Sequence, residues 1–175
     1  MPEIEAIAAV RDFVEVGGNV LLAIAFVTGL MWTLILERMV YFWTAHRHEK
    51  KRIQALWSAR QDRSSWTAHQ IRRMLVSEVR LKLNRGLGLI KTTVALCPML
   101  GLLGTVTGMI EVFDVMAIAG SGNARGMASG VSKATLPTLA GMVAALSGML
   151  FSIQLERFAS HESERVADSL ELIEE

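Results

Sequence analysis

The apolar residues of this 175-residue chain are gathered into three blocks, and its charges are gathered between them. A soluble domain spaces its apolar positions so that each helix or strand keeps one wet face. A block without charge over about 20 residues keeps no such face, and a lipid bilayer is the solvent it fits. No residue from Val20 to Leu36 is charged. The first span is read over residues 19–43. Glu37 and Arg38 mark its exit, and Tyr41, Phe42 and Trp43 form an aromatic belt at the interface. The second span is read over 92–119. The third is read over 131–154, where Lys133, close to the outer end, is the one charge. The chain is therefore expected to be an all-α integral membrane protein with three transmembrane helices.

Charge asymmetry gives the orientation. Residues 44–91 hold twelve Lys and Arg against three acids, whereas the segments on the other side of the spans carry Arg11 and Arg125. Cationic loops stay in the cytoplasm. The N-terminus is thus expected outside, in the periplasm, with residues 44–91 and the C-terminus in the cytoplasm. The same basic run would fit a nucleic-acid surface if it stood alone. Between two spans it is read as topology, with no nucleic-acid partner.

The segments around the spans carry their own signals. Residues 1–18 place Ile4, Ile7, Ala8, Arg11 and Val14 on one stripe, which suits a short amphipathic helix at the outer membrane surface, ended by Gly17 and Gly18. Their acids, Glu3, Glu5, Asp12 and Glu15, are not the basic opening of a signal peptide. Within the loop, Ser64 or Ser65 is placed to cap a helix starting near Trp66, with Ile71, Leu75 and Val79 at i+4 spacing. Gly86 and Gly88 are the strongest breakers before the second span, so one long helix is expected to rise from the cytoplasm into the membrane. Residues 120–130, rich in glycine, are expected to form an outer loop. Residues 155–175 are expected as a cytoplasmic amphipathic helix, with Leu155, Phe158, Val166, Leu170 and Ile173 along one side.

Candidate chemistry is sparse. Cys97 is the single cysteine and lies in an apolar block, where it reads as a small packing residue. His46 and His48, two apart in a basic run, make a poor metal pair, and no metal or cofactor is expected. No nucleophile–base pair or phosphate loop stands out, so no enzymatic activity is expected.

The second and third spans are unusual in carrying hydroxyls and helix-weakeners. At 100° per residue, Cys97, Gly101, Thr105, Gly108 and Val112 fall close together, with Gly104 beside them. Gly104 and Gly108 make a GxxxG pair, which lets helix backbones approach closely in lipid. On the third span Ala134, Thr135, Thr138, Gly141, Met142, Ala145, Met149 and Ser152 share a small, mildly polar face. Bulk such as Leu102, Leu103, Ile110, Leu139, Leu146 and Phe151 lies opposite. Two readings of the hydroxyls stand. They return to their own backbone within tightly packed helices, or they line a narrow, partly wet passage. Pro98 and Pro137 each remove a backbone donor and crowd the carbonyls of Val94 and Lys133. They fit a fixed kink or a hinge facing protein or water.

Glu111, Asp114 and Lys133 lie in the outer thirds of their spans. They fit an outer mouth, or Glu111 serves there as a proton acceptor. A proton relay needs a titratable group near mid-depth. The central span positions hold none, so a carrier would have to come from a partner.

The stretches "GLLGTVTGMIEVF" at 101–113 and "ATLPTLAGMVAAL" at 134–146 resemble the second and third spans of the MotA/TolQ/ExbB proton-channel family, most closely its compact ExbB-like members. The resemblance covers about residues 15–160. It implies a pentameric ring in the bacterial inner membrane, with the second and third helices running on into the cytoplasm. It implies a pore holding the single-span helices of an ExbD-like partner, whose aspartate carries the proton. The work would be delivered to a TonB-like protein. The family's pore threonines fall on Thr105 and Thr138, with Thr135 and Glu111 near the same path. Gly101, Gly104, Gly108, Gly141, Pro98 and Pro137 would serve helix packing. Many relatives carry a glutamate near the outer start of the third span. Here that stretch reads "SKAT", and Lys133 takes its place. A TolQ-like envelope motor and a non-conducting membrane scaffold are the alternatives.

Overall fold

The computed structural model describes residues 2–59, 65–119 and 124–170, and over these it is all helical. The order is α1 (Pro2–Ser58), α2 (Trp66–Asn84), α3 (Leu87–Ala119) and α4 (Ala124–Ser169). Three stretches are long and apolar enough to cross a membrane: Gly18–Thr44, Trp66–Ile118 and Gly126–Ser169, with mean hydropathies of 2.1, 1.7 and 1.7. Ser64, the loop residues 120–123 and the terminal residues from 171, Ile173 included, lie outside the described residues, as do the side chains of the stripe Ile4–Val14 and of His46 and His48.

Local chemistry explains most helix ends. Gly18 takes φ 65° and ψ −163° inside α1, a conformation that glycine reaches without a Cβ penalty. The helical path is interrupted at the glycine where the sequence ends its surface helix. Ser65 caps α2, its side chain accepting from the Ala68 backbone N–H at 3.3 Å. At the other end of α2 the chain turns through Gly86, at φ 82°. The expected single helix from cytoplasm to membrane is therefore two helices, because a left-handed residue cannot continue the α ladder. α4 starts at Ala124, so residues 124–130, expected as loop, are helical. Helices run through both Pro98 and Pro137 without a break in assignment.

The chain divides into two compact units. The first comprises residues 1–32 and 92–149, the second residues 33–91 and 150–175.

In the first unit the buried positions of α3 are Thr93, Cys97, Gly101, Gly104, Gly108 and Val112. Those of α4 are Ala134, Pro137, Gly141, Ala144 and Gly148. Both series advance by steps of three or four residues, which keeps each on one face of its helix. Leu21, Ile24 and Met31 of α1 are buried in the same unit. Bulky residues face away. Leu102, Val106, Ile110 and Phe113 on α3, and Leu139, Val143 and Leu146 on α4, are all exposed. This is the reverse of a soluble core, as expected where lipid or a neighbouring subunit supplies the surroundings.

In the second unit a conventional core forms from Ile35, Phe42, Ile53 and Trp57 of α1, Leu75, Val79 and Leu83 of α2, and Leu155, Ala159 and Val166 of α4. Two arginines close helix ends within it. Arg38, 7% exposed, donates from one guanidinium nitrogen to the carbonyls of Lys82 and Leu83, the latter at 2.7 Å, at the C-terminus of α2. Arg72 donates to the carbonyls of Ala167 and Leu170, each at 2.7 Å, at the C-terminus of α4. The last carbonyls of a helix lack intrahelical partners, and cations favour that end of the dipole.

Candidate functional site

The hydroxyl-bearing stripe predicted from sequence lies on the α3–α4 pair of the first unit. The pair owes its closeness to glycine. A Cβ on Gly108 would stand 2.6 Å from Ala134 Cα, and one on Gly141 would stand 2.5 Å from the carbonyl oxygen of Cys97. A Cβ on Gly104 would collide with the buried Pro137 ring, and one on Gly101 would meet the Thr138 backbone at 3.0 Å. Pro98, by contrast, is exposed. Cys97 is wholly buried, and its Sγ lies 3.4 Å from the Thr93 carbonyl oxygen. At such range van der Waals contact holds helices together without needing any apolar driving force, which lipid does not provide.

Close approach lets a polar bond cross the pair. The Thr138 hydroxyl donates to the Gly101 carbonyl oxygen at 2.9 Å. The other threonines turn inward on their own helix. Thr105 donates to Leu102 O at 2.7 Å, and Thr135 donates to Ser132 O at 3.0 Å. Thr107 reaches Gly104 O at 3.0 Å. A carbonyl can only accept, so each hydroxyl proton is committed. What remains on each oxygen is its lone pairs. Thr105 and Thr138 are half-buried and Thr135 is exposed. Gly101 precedes Thr105 by one turn, so both oxygens belong to the same level of the crossing, within roughly 6 Å along α3.

The face predicted for α4 is divided. Ala134, Gly141 and Ser152 are buried, whereas Thr135, Met142 and Met149 are exposed. Pro137, Ala144 and Gly148, outside the predicted stripe, are the buried positions that complete the seam. The helical wheel found the right half of α4 and set its centre too far round. Toward the C-terminal end of α3, Glu111 and Asp114 are exposed and, among the described residues, neither pairs with Lys133. No cluster of three or more His, Cys, Asp or Glu among the described residues could hold a metal. The two arginine helix closures of the second unit were not foreseen. The cationic loop signal accounts for Arg72 as topology and hides its partners in α4.

The chemistry available is that of a tightly packed helix pair carrying acceptor oxygens and no titratable group of its own at their level. Comparison with known proteins agrees with this arrangement. Residues 44–168 match the MotA/TolQ/ExbB proton channel family. Over 103 residues the chain is 40% identical to a Synechocystis sp. protein named ExbB-like 1, covering 53% of this chain and 39% of that protein. Over 78 residues it is 36% identical to ExbB-like 3 of the same organism, covering 41% and 37%. The chain thus spans about two fifths of the length of the curated relatives it matches. With its three apolar helices and the family match across most of its length, this chain belongs to the MotA/TolQ/ExbB proton channel family.

Proposed function

We propose that the chain is the ring-forming stator subunit of a proton-driven motor in the bacterial inner membrane. In this reading five copies enclose the single-span helices of an ExbD-like partner, and a partner aspartate carries each proton. The movement is delivered to a TonB-like protein for active transport across the outer membrane. Both relatives are named for biopolymer transport, which agrees with that use. The N-terminus lies in the periplasm and the C-terminus in the cytoplasm. The lower parts of α3 and α4 then extend from the membrane into the cytoplasm.

The observation that carries the mechanism is the committed hydroxyl protons of Thr105 and Thr138. An oxygen with only lone pairs to offer accepts a hydrogen bond from a protonated carboxylic acid. It offers nothing to a carboxylate. The threonine level therefore favours the neutral aspartic acid over the charged one, by hydrogen bonding and by the low polarity around it. An aspartate would gain its proton before entering that level and release it on leaving toward water. Glu111 and Asp114, exposed near the outer end, shape the entrance and leave proton carriage to the partner.

The test is proton flux through the complex reconstituted with its partner, and energised uptake in cells. Thr105→Val with Thr138→Val is expected to abolish both while the complex still assembles. Intact uptake in that double variant rejects the mechanism. Flux that appears with no partner combination favours a scaffold. Function with a TolQ-type partner in place of the ExbD-like one favours an envelope motor.

A further inference from the structure

A cavity of about 590 Å³ opens within the second unit, at the junction of α1 with the α2–α3 turn. Its lining brings together three cations, Arg38, Lys82 and Arg85, and three apolar residues, Leu34, Leu89 and Ile90. Gly86 also lines it, so the cavity meets the N-terminus of the 33-residue α3. That end of a long helix carries the positive pole of its dipole and is a natural seat for an anion.

The second observation is Arg38 itself. The side chain is more than nine-tenths buried, and its Nε is a buried donor with no hydrogen-bond partner. One terminal nitrogen closes α2, and Tyr41 lies 4.7 Å from the guanidinium carbon, stacked over it. Arg38 and Arg85 also stand close enough for their charges to repel. Arg38 feels the attraction of Glu37 more than the repulsion of Arg85, yet the three cations of the lining exceed that one acid, so an anionic acceptor meets net positive charge here. Two acids face this region. Glu37 lines the cavity, and Glu78 is occupied by Lys82 at 2.8 Å. The cations still outnumber them.

From these features we infer that the cavity seats the phosphate of an anionic phospholipid. The phosphate meets Arg38, Arg85 and the start of α3, and the glycerol and acyl portion lies along Leu34 and Leu89. The apolar lining distinguishes a lipid from a free phosphate, which would have no use for it. Depth agrees, since Arg38 lies two residues past the end of the charge-free run, after Glu37, and precedes the aromatic belt, at headgroup level. The inference rests on the cytoplasmic placement of residues 33–91. It does not depend on proton coupling or on any partner.

The test uses the full chain purified in detergent and exposed to phosphatidylglycerol or phosphatidylcholine of identical acyl chains. Retained lipid is read by native mass spectrometry and the folded state by circular dichroism. Phosphatidylglycerol is expected to be retained over phosphatidylcholine. Arg85→Gln is expected to weaken that retention about fivefold. Arg38→Lys, which keeps the charge and loses the fork, is expected to weaken it as well. Arg73→Gln, on the exposed surface of α2 and outside the cavity, is expected to change nothing. Equal retention of both lipids, or an equal loss in Arg73→Gln and Arg85→Gln, overturns the site. Displacement of phosphatidylglycerol by inorganic phosphate or glycerol phosphate overturns the lipid as its occupant.

Discussion

The Arg72 guanidinium in α2 holds the carbonyl of Leu170 at 2.7 Å, across 98 positions of sequence. A second bond, to Ala167 O, makes the grip two-pronged. The end of α4 is thus closed by a side chain from α2, and its terminal order depends on that helix.

Arg72→Met keeps the length of the side chain and removes both bonds. The loss is expected to be about 2 kcal/mol, the scale of charged hydrogen bonds at a helix end. Thermal unfolding in detergent measures it. Amide exchange should quicken over the last turns of α4 and remain unchanged over α3.

Steric room separates two glycine substitutions. Gly108→Leu must displace the Ala134 backbone, and overpacking of this kind costs about 1–3 kcal/mol. Gly88→Ala meets nothing within 4 Å, and it should stabilise α3 by up to about 1 kcal/mol. The two unfolding midpoints should move in opposite directions.

Thr138 and Thr105 should part company in stability while agreeing in function. Thr138→Val removes the bond to Gly101 O and is expected to cost about 1 kcal/mol. Thr105→Val removes only a bond within its own turn and should lie within a few tenths. Proton-driven uptake should fall in both. Thr138→Ser, which keeps the hydroxyl, should restore it.

The Glu78 carboxyl sits below the usual carboxylate range, first because Lys82 donates a hydrogen bond to it and then through that ammonium's charge. Its contribution is present above the unfolded-state pKa and is lost as pH falls through the lower folded one. The pair is exposed, 38% and 42%, so Glu78→Gln should cost only about 0.3–0.5 kcal/mol at neutral pH. That difference should shrink as pH falls and vanish only below the lowered folded pKa, where wild type also carries a neutral group.

How much of this could be read from sequence follows the range of each interaction. The apolar blocks and the Ser65 cap are local and were legible. So was the choice of glycines for the helix seam, because GxxxG is itself a contact pattern. Gly86 was noticed as a weak point, yet the sequence does not state that its φ is positive, and a continuous helix was expected. Residues 124–130 were read as loop because glycines gather there; Gly130 instead lies on the helix, where a Cβ would meet the Val112 side chain. The wheel placed Met142 and Met149 on one small face with Gly141 and left open whether that face packs or lines a passage, since it gives the angle of a stripe and says nothing of which part the neighbour covers. Arg38 was read as a marker of the span's exit and Arg72 as loop charge, because their acceptors lie 44 or more positions away.

The glycine seam has a mechanical consequence. Helices so close that the glycines leave no space for a Cβ, pinned by Thr138 on Gly101, have little room to slide or roll. In a machine that turns an ion gradient into motion, one component must be much less compliant than the other, or the stored energy is spent in deforming both. Residues 101–141 give the α3–α4 pair the low compliance of a strut, so deformation falls on whatever moves against it.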